Sequence, residues 1–149
     1  MDILFIGGVF PKDREKQIFN DSKGNMQYAA NALQWNIIDG IEQNIGKAVK
    51  VLNAVFVGSY PKRYKKLFIK AYKWEHREGA HDYNIAFLNL WGLKHISRAI
   101  NLSKYIKKWA KTDISKTKII IAYSFNSPFL NAMKTAKKIN PKIQTCLVV

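Results

Sequence analysis

The stretch Lys118-Ile119-Ile120-Ile121-Ala122-Tyr123-Ser124-Phe125-Asn126-Ser127-Pro128-Phe129 decides the fold. Three consecutive isoleucines, each stiff at χ1, favour extended backbone. A run apolar on both sides fits a strand buried on both faces. Ser127 followed by Pro128 predicts a helix N-cap with proline at the first helical position. Phe129, Ala132, Met133, Ala136 and Ile139 then continue one helical face until Asn140-Pro141 stops it. Ile143 to Val149 reads as the next strand, with Cys146 inside it as an inert core thiol. Strand, helix and strand in so short a span make a βαβ unit, whose strands run parallel.

The same alternation extends toward the N-terminus. Ile3 to Ile6 reads as a buried strand closed by Gly7-Gly8, and residues 7–24 as a long loop rich in turn residues. A helix is predicted from Asn25 to Asn44, with Met26, Ala29, Ala30, Leu33, Ile37, Ile41 and Ile45 on its buried face and Gly46 as C-cap. Val49 to Val57 is a second strand. Gly58-Ser59-Tyr60-Pro61 turns the chain, Leu67 to Trp74 reads as an exposed strand, and Gly79 to Asp82 turns it again. Tyr83 to Leu88 is a further strand. A helix from Leu93 to Lys111 is expected to direct Ile96, Ala99, Ile100, Ile106 and Trp109 inward, with Lys94, Arg98, Lys104, Lys107, Lys108 and Lys111 outside. The order predicts an α/β domain over residues 1–149, a parallel sheet with helices on both faces and an irregular insertion around residues 59–82. Because the chain ends at Val149 inside an apolar strand, it is expected to be a fragment of a longer protein.

The charge is strongly asymmetric. The 149 residues carry 25 Lys and Arg against 10 Asp and Glu, for +15 at neutral pH. Residues 1–61 hold six of each sign, so the whole excess lies in residues 62–149. Such a field implies an anionic partner: nucleic acid, an acidic lipid surface or a phosphorylated substrate. No apolar run approaches the roughly 20 residues of a membrane span. The acidic Asp2 and the early glycines argue against a signal peptide, and a single cysteine suits a reducing cytoplasm.

Motifs for chemistry are few. Gly-x-Gly-x-x-Gly, Gly-Lys-Ser/Thr and Gly-x-Ser-x-Gly are absent, so Rossmann, P-loop and nucleophile-elbow signatures are missing. Gly24, just before the first long helix, is either a plain loop glycine or a point of backbone contact with an anion. Glu75-His76 and His81-Asp82 match no metal-ligand spacing and read as solvated pairs. Between Lys62 and Arg77 seven basic residues interleave with Tyr64, Phe68, Tyr72 and Trp74. Single-stranded nucleic acid, a membrane interface and a lysine-defended edge strand each account for that pattern.

Together the element order and three segments resemble the N-terminal domain of GT-B glycosyltransferases of the family-4-like retaining kind. The segments are Lys23-Gly24-Asn25-Met26 entering a helix, Tyr83 to Leu90 leading into a helix ending Lys107-Lys108-Trp109, and Ile119 to Pro128. The resemblance implies a Rossmann-like domain forming the acceptor side of a two-domain enzyme. Such an enzyme transfers sugar from a nucleotide-sugar donor to a saccharide or lipid-linked acceptor in cell-surface polysaccharide synthesis. It implies no cofactor and no bound metal, and the domain alone is expected to be inactive. Gly24 and Asn25 map to the donor-phosphate loop, and Tyr123, Ser124 and Asn126 to the acceptor-side loop. Many members have histidine where this chain has Tyr123. Lys62, Arg63, Lys65, Lys66, Lys70 and Lys73 are then a membrane-facing basic patch, and the enzyme a cytoplasmic one, peripheral on the inner face of the membrane, with no nucleic acid expected. The alternative reading is a basic α/β nucleic-acid-binding module.

Overall fold

A computed structural model describes residues 1–149. Its central sheet has six strands: β1 (Asp2–Gly7), β2 (Lys50–Asn53), β4 (Tyr72–Trp74), β5 (Asp82–Asn84), β7 (Lys118–Tyr123) and β8 (Gln144–Val148). In space they run β4-β5-β2-β1-β7-β8, and only the β4–β5 pairing is antiparallel. The first strand lies in the middle and the chain builds outward on either side of it. This arrangement is Rossmann-like, with its crevice where the direction of building reverses, between β1 and β7. A separate ribbon pairs β3 (Phe68–Ile69) with β6 (Phe87–Leu88).

Helices cover both faces. Ile3, Phe5, Val51 and Ile38 form one core, under α2 (Tyr28–Ile45). Leu4, Ile6, Leu52, Ile120 and Ala122 face the other way, against α3 (Leu93–Lys111) and α4 (Ser127–Ile139). Alternation along β1 is what divides its side chains between the two cores. No helix is long and apolar enough to cross a membrane.

Several sequence expectations are corrected. Residues 7–24 contain a helix, α1 (Glu15–Asp21), anchored by buried Ile18. The first long helix begins at Tyr28 rather than Asn25, and β2 ends at Asn53 rather than Val57. Asn126, not Ser127, occupies the N-cap of α4, without a side-chain cap bond. Cys146 is exposed. It pairs in register with Ile121 on the α2 side of the sheet, where the helix layer stops short and leaves Ile121 only half-buried.

Both long helices are rotated from their predicted phase. In α2 the buried centre is Gln34, Ile38 and Glu42, while Leu33 is exposed. In α3 it is Lys94, Arg98, Leu102, Ile106 and Trp109, while Ile96 and Ile100 face solvent. The reason lies in backbone groups that no strand satisfies. Gln34 Oε1 accepts the Gly8 N–H at 2.8 Å, Asn31 Oδ1 the Phe10 N–H at 2.7 Å and Glu42 Oε1 the Val49 N–H at 2.7 Å. Lys94 and Arg98 donate to the carbonyls of Val57 and Val55 in the irregular run after β2. Buried backbone polar groups need such partners, and the helices supply them at i, i+4 spacing.

Gly8 is explained by packing rather than ligand contact, since a Cβ there would sit 2.1 Å from the Phe56 ring. Nor are His76 and Asp82 solvated. His76 Nδ1 lies 2.7 Å from Asp82 Oδ2 and Nε2 2.9 Å from Glu42 Oε1, and all three side chains are at least 95% buried. Burial opposes the charged imidazole, but the bonds and charges of Asp82 and Glu42 outweigh it and raise the His76 pKa. Trp35 and Trp74 enclose the ring at 5.5 and 6.2 Å. This ion triplet ties α2 to the β4–β5 edge.

Candidate functional site: a cationic cleft at the carboxyl ends of the strands

Three parts of the chain converge beyond the carboxyl ends of β1, β2 and β7. They are the loop entering α2, the irregular run after β2 with the start of α3, and the β7–α4 loop. Between them lies a cleft of about 810 Å³. Its walls carry Lys62, Arg63, Lys94, His95 and Arg98 and no carboxylate. None of these side chains forms an ion pair.

Arg98 is built into the wall. It is 3% exposed, stacks on Phe87 at 4.3 Å and donates Nη2 to the Val55 carbonyl, yet its Nε–H has no partner. Asn126, a half-buried residue that also lines the cleft, has its Oδ1 buried and without a partner. A free donor on a cation and a free acceptor on an amide, in one cleft, suit a ligand bearing both an anionic group and a hydroxyl. Burial lowers the Arg98 pKa to about 9, which leaves it charged at neutral pH. Burial, with Arg98 and Arg63 nearby, lowers Lys94 to about 7. Burial, with Arg98 and Lys94 nearby, lowers His95 below its ordinary value. An incoming anion relieves this crowding of positive charge.

Ser124 holds φ +73°, an uncommon conformation for a residue with a side chain. Its N–H donates to the Val148 carbonyl and its own carbonyl accepts the Asn126 N–H, each at 2.8 Å. The tight bend swings Ser124 and Asn126 onto the cleft while Tyr123 packs toward Phe56, outside the lining. Of the loop before α2, Asn25 lines the cleft and Gly24 does not. Gly24 has φ +101° with open space around its Cβ position, so its backbone conformation is what calls for glycine.

The predicted basic patch is dispersed. Lys62 and Arg63 line the cleft, while Lys65 donates to the Asn20 carbonyl and Lys66 pairs with Asp21 at 2.9 Å, both holding the end of α1. Lys70 is exposed beside β3, and Lys73 shares a depression with Lys50 at the amino ends of the strands. Sequence reasoning missed Lys94, Arg98 and Trp91 as cleft residues. Successive steps of four back from Ile106 reach Leu102, Arg98 and Lys94, and that spacing was the available signal.

A comparison with protein-family models, curated proteins and solved structures finds no match to this chain. The class the fold defines is an α/β domain with a mostly parallel six-stranded sheet and four helices. Its function therefore rests on the chemistry of the cleft.

Proposed function

We propose that the chain is the acceptor-side domain of a glycosyltransferase. In this reading it moves sugar from a nucleotide-sugar donor to a saccharide or lipid-linked acceptor, and the cleft receives the phosphorylated end of a substrate. The observation that carries this reading is the carboxylate-free cleft with unpartnered Arg98 Nε–H and Asn126 Oδ1, at the topological switch point. Sugar transfer from a diphosphate donor needs the leaving phosphates stabilised and the attacking hydroxyl held beside them. Arg98, Arg63, Lys62 and protonated Lys94 supply the first function, while Asn126 and Ser124 offer oxygens to hydroxyl groups. Trp91, 86% exposed on the cleft's rim, presents an indole face to the apolar side of a sugar ring.

Calorimetric titration tests the proposal with inorganic pyrophosphate, a nucleoside-diphosphate sugar and a single-stranded oligonucleotide over a salt series. The nucleoside-diphosphate sugar is expected to bind at least as tightly as pyrophosphate, and Lys62→Ala with Arg63→Ala to weaken both about tenfold, from roughly 0.7 kcal/mol per exposed charge. Both residues are exposed, so the fold is retained. Tighter oligonucleotide binding with a steep salt slope supports the nucleic-acid module instead and overturns the proposal.

A further inference from the structure

We propose that the outer face of the α3–α4 layer docks on an anionic lipid bilayer, with the first two turns of α3 at headgroup depth and the lysines of both helices against lipid phosphates. The inference goes beyond the sugar-transfer reading and holds or fails without it.

Among the exposed positions of α3, Leu93, Ile96, Ile100, Lys104, Lys107 and Lys111 form one stripe at steps of three or four, with His95 and Lys108 beside it. Its first half is aliphatic, with Leu93 46%, Ile96 58% and Ile100 51% exposed. Trp91, two residues before, extends the apolar surface to the rim of the cleft. Aliphatic side chains gathered at one end of a helix, rather than scattered singly, mark a surface that leaves water in some functional state.

The second half of the stripe is cationic. Lys104 and Lys107 share a groove of about 510 Å³ with Lys134 and Lys138 of α4, and Ile100 lines the same groove. Neither helix contains a single Asp or Glu. An apolar patch and a carboxylate-free lysine cluster therefore meet on one two-helix plane.

A bilayer fits both halves at once. Aliphatic side chains and a tryptophan enter the headgroup boundary, while lysines spread over the same plane meet lipid phosphates and keep their stems on apolar surface. Nucleic acid fits the lysines and Trp91 but leaves the aliphatic half unused, because Leu93, Ile96 and Ile100 offer no flat face on which a base stacks. Two turns span about 11 Å, far short of the hydrocarbon core, so the helix lies on the surface. The docking face is thus distinct from the basic segment at residues 62–73. Since Trp91 belongs to both surfaces, the cleft opens beside the membrane, in reach of a phosphate carried by a lipid.

Vesicle co-sedimentation tests the inference, using the full chain with vesicles of equimolar phosphatidylglycerol and phosphatidylcholine against phosphatidylcholine alone. Binding is expected only to the anionic vesicles. Lys104→Gln with Lys107→Gln should weaken it about twenty-five-fold, at roughly fivefold per charge. Ile96→Ser with Ile100→Ser should weaken it by at least tenfold, from the lost apolar insertion. All four positions are exposed, so far-ultraviolet circular dichroism should be unchanged. Lys70→Gln with Lys73→Gln is expected to bind like the parent.

Equal binding to both vesicle types, or loss in the Lys70/Lys73 variant with none in the Ile96/Ile100 variant, overturns the inference. So does the absence of vesicle binding. Pyrophosphate titration without vesicles reads the cleft alone. It is expected to be unaffected by Ile96→Ser and Ile100→Ser, so failure of the docking face and failure of the cleft are separately visible.

Discussion

Replacing His76 by glutamine tests the buried ion triplet most directly. The substitution removes the one cation that bridges Glu42 and Asp82, whose side chains are 1% and 0% exposed. The carboxylates keep other partners. Asp82 still accepts the backbone N–H groups of Val51 and residue 76, each at 2.8 Å. Glu42 keeps the Val49 N–H and Arg77 at 2.7 Å. Arg77 is 54% exposed, so solvent screening limits it to under about 1 kcal/mol. Breaking a buried ion pair by removing one partner costs about 3–5 kcal/mol, and the surviving backbone bonds place the expected loss near the lower figure, ~3 kcal/mol. At about 2–4 °C per kcal/mol for a chain of this length, Tm should fall by roughly 6–12 °C.

The pH dependence carries a definite sign. The folded pKa of His76 is raised above its ordinary 6.5, so its stabilisation is complete below pH 6.5 and fades as pH rises through the folded value. For Glu42, burial is outweighed by the Val49 N–H, Arg77 and His76, and the folded pKa is lowered from 4.5. Its contribution is present above pH 4.5 and fades as pH falls through the folded value. Urea unfolding, followed by tryptophan fluorescence because Trp35 and Trp74 enclose the ring, should show parent stability declining on the alkaline side. The decline should be absent in His76→Gln. A difference between parent and variant that stays below 1 kcal/mol, or that is the same at pH 6 and pH 9, refutes the reasoning.

Other outcomes follow from the same geometry. Gly8→Ala should cost about 1–3 kcal/mol, because its Cβ must displace the Phe56 ring at 2.1 Å; an unchanged urea midpoint would contradict it. Ser124→Gly should leave Tm unchanged or raise it, relieving up to about 1 kcal/mol of left-handed backbone strain, while removing one cleft hydroxyl; a clear fall in Tm argues against strain. Pyrophosphate should bind more tightly at pH 6 than at pH 8, because Lys94, lowered to about 7, loses its proton between them, and Lys94→Met should flatten that dependence in calorimetry. Cys146, exposed on β8, should react with a disulfide reagent in native buffer as fast as in urea; protection until unfolding would place it back in a core.

How much was legible in the sequence differs between backbone and side chains. The runs at Ile3–Ile6 and Ile119–Ile121 are too apolar for any place but a sheet covered on both faces, and Asn140-Pro141 and Gly46 punctuate the helices. The long elements and the parallel run of β2, β1, β7 and β8 followed from these. Leu67 to Trp74 and Tyr83 to Leu88, each read as one strand, are instead split between two sheets and make the antiparallel β4–β5 edge. α1 escaped because seven residues are too few to show periodicity against turn-rich surroundings. The cleft was legible only in part. Asn25, Ser124 and Asn126 could be placed by their positions at loop ends, whereas Arg98 and Lys94 are read by local pattern as solvent-facing cations.

Local sequence thus determined the period of each helix and the direction of each strand, since both depend on neighbours a few residues apart. Phase was decided by tertiary structure. Arg98 and Lys94 turn inward because the carbonyls of Val55 and Val57 lack strand partners, and Gln34 and Glu42 because the amides of Gly8 and Val49 do. Those backbone groups lie 7 to 43 residues away in the chain, each outside the helix whose side chain bonds it. The same rotation left Ile96 and Ile100 in solvent and gathered unpaired cations into one cleft. The +15 charge was visible from the start; which cations would share a wall was settled only when the helices chose their faces.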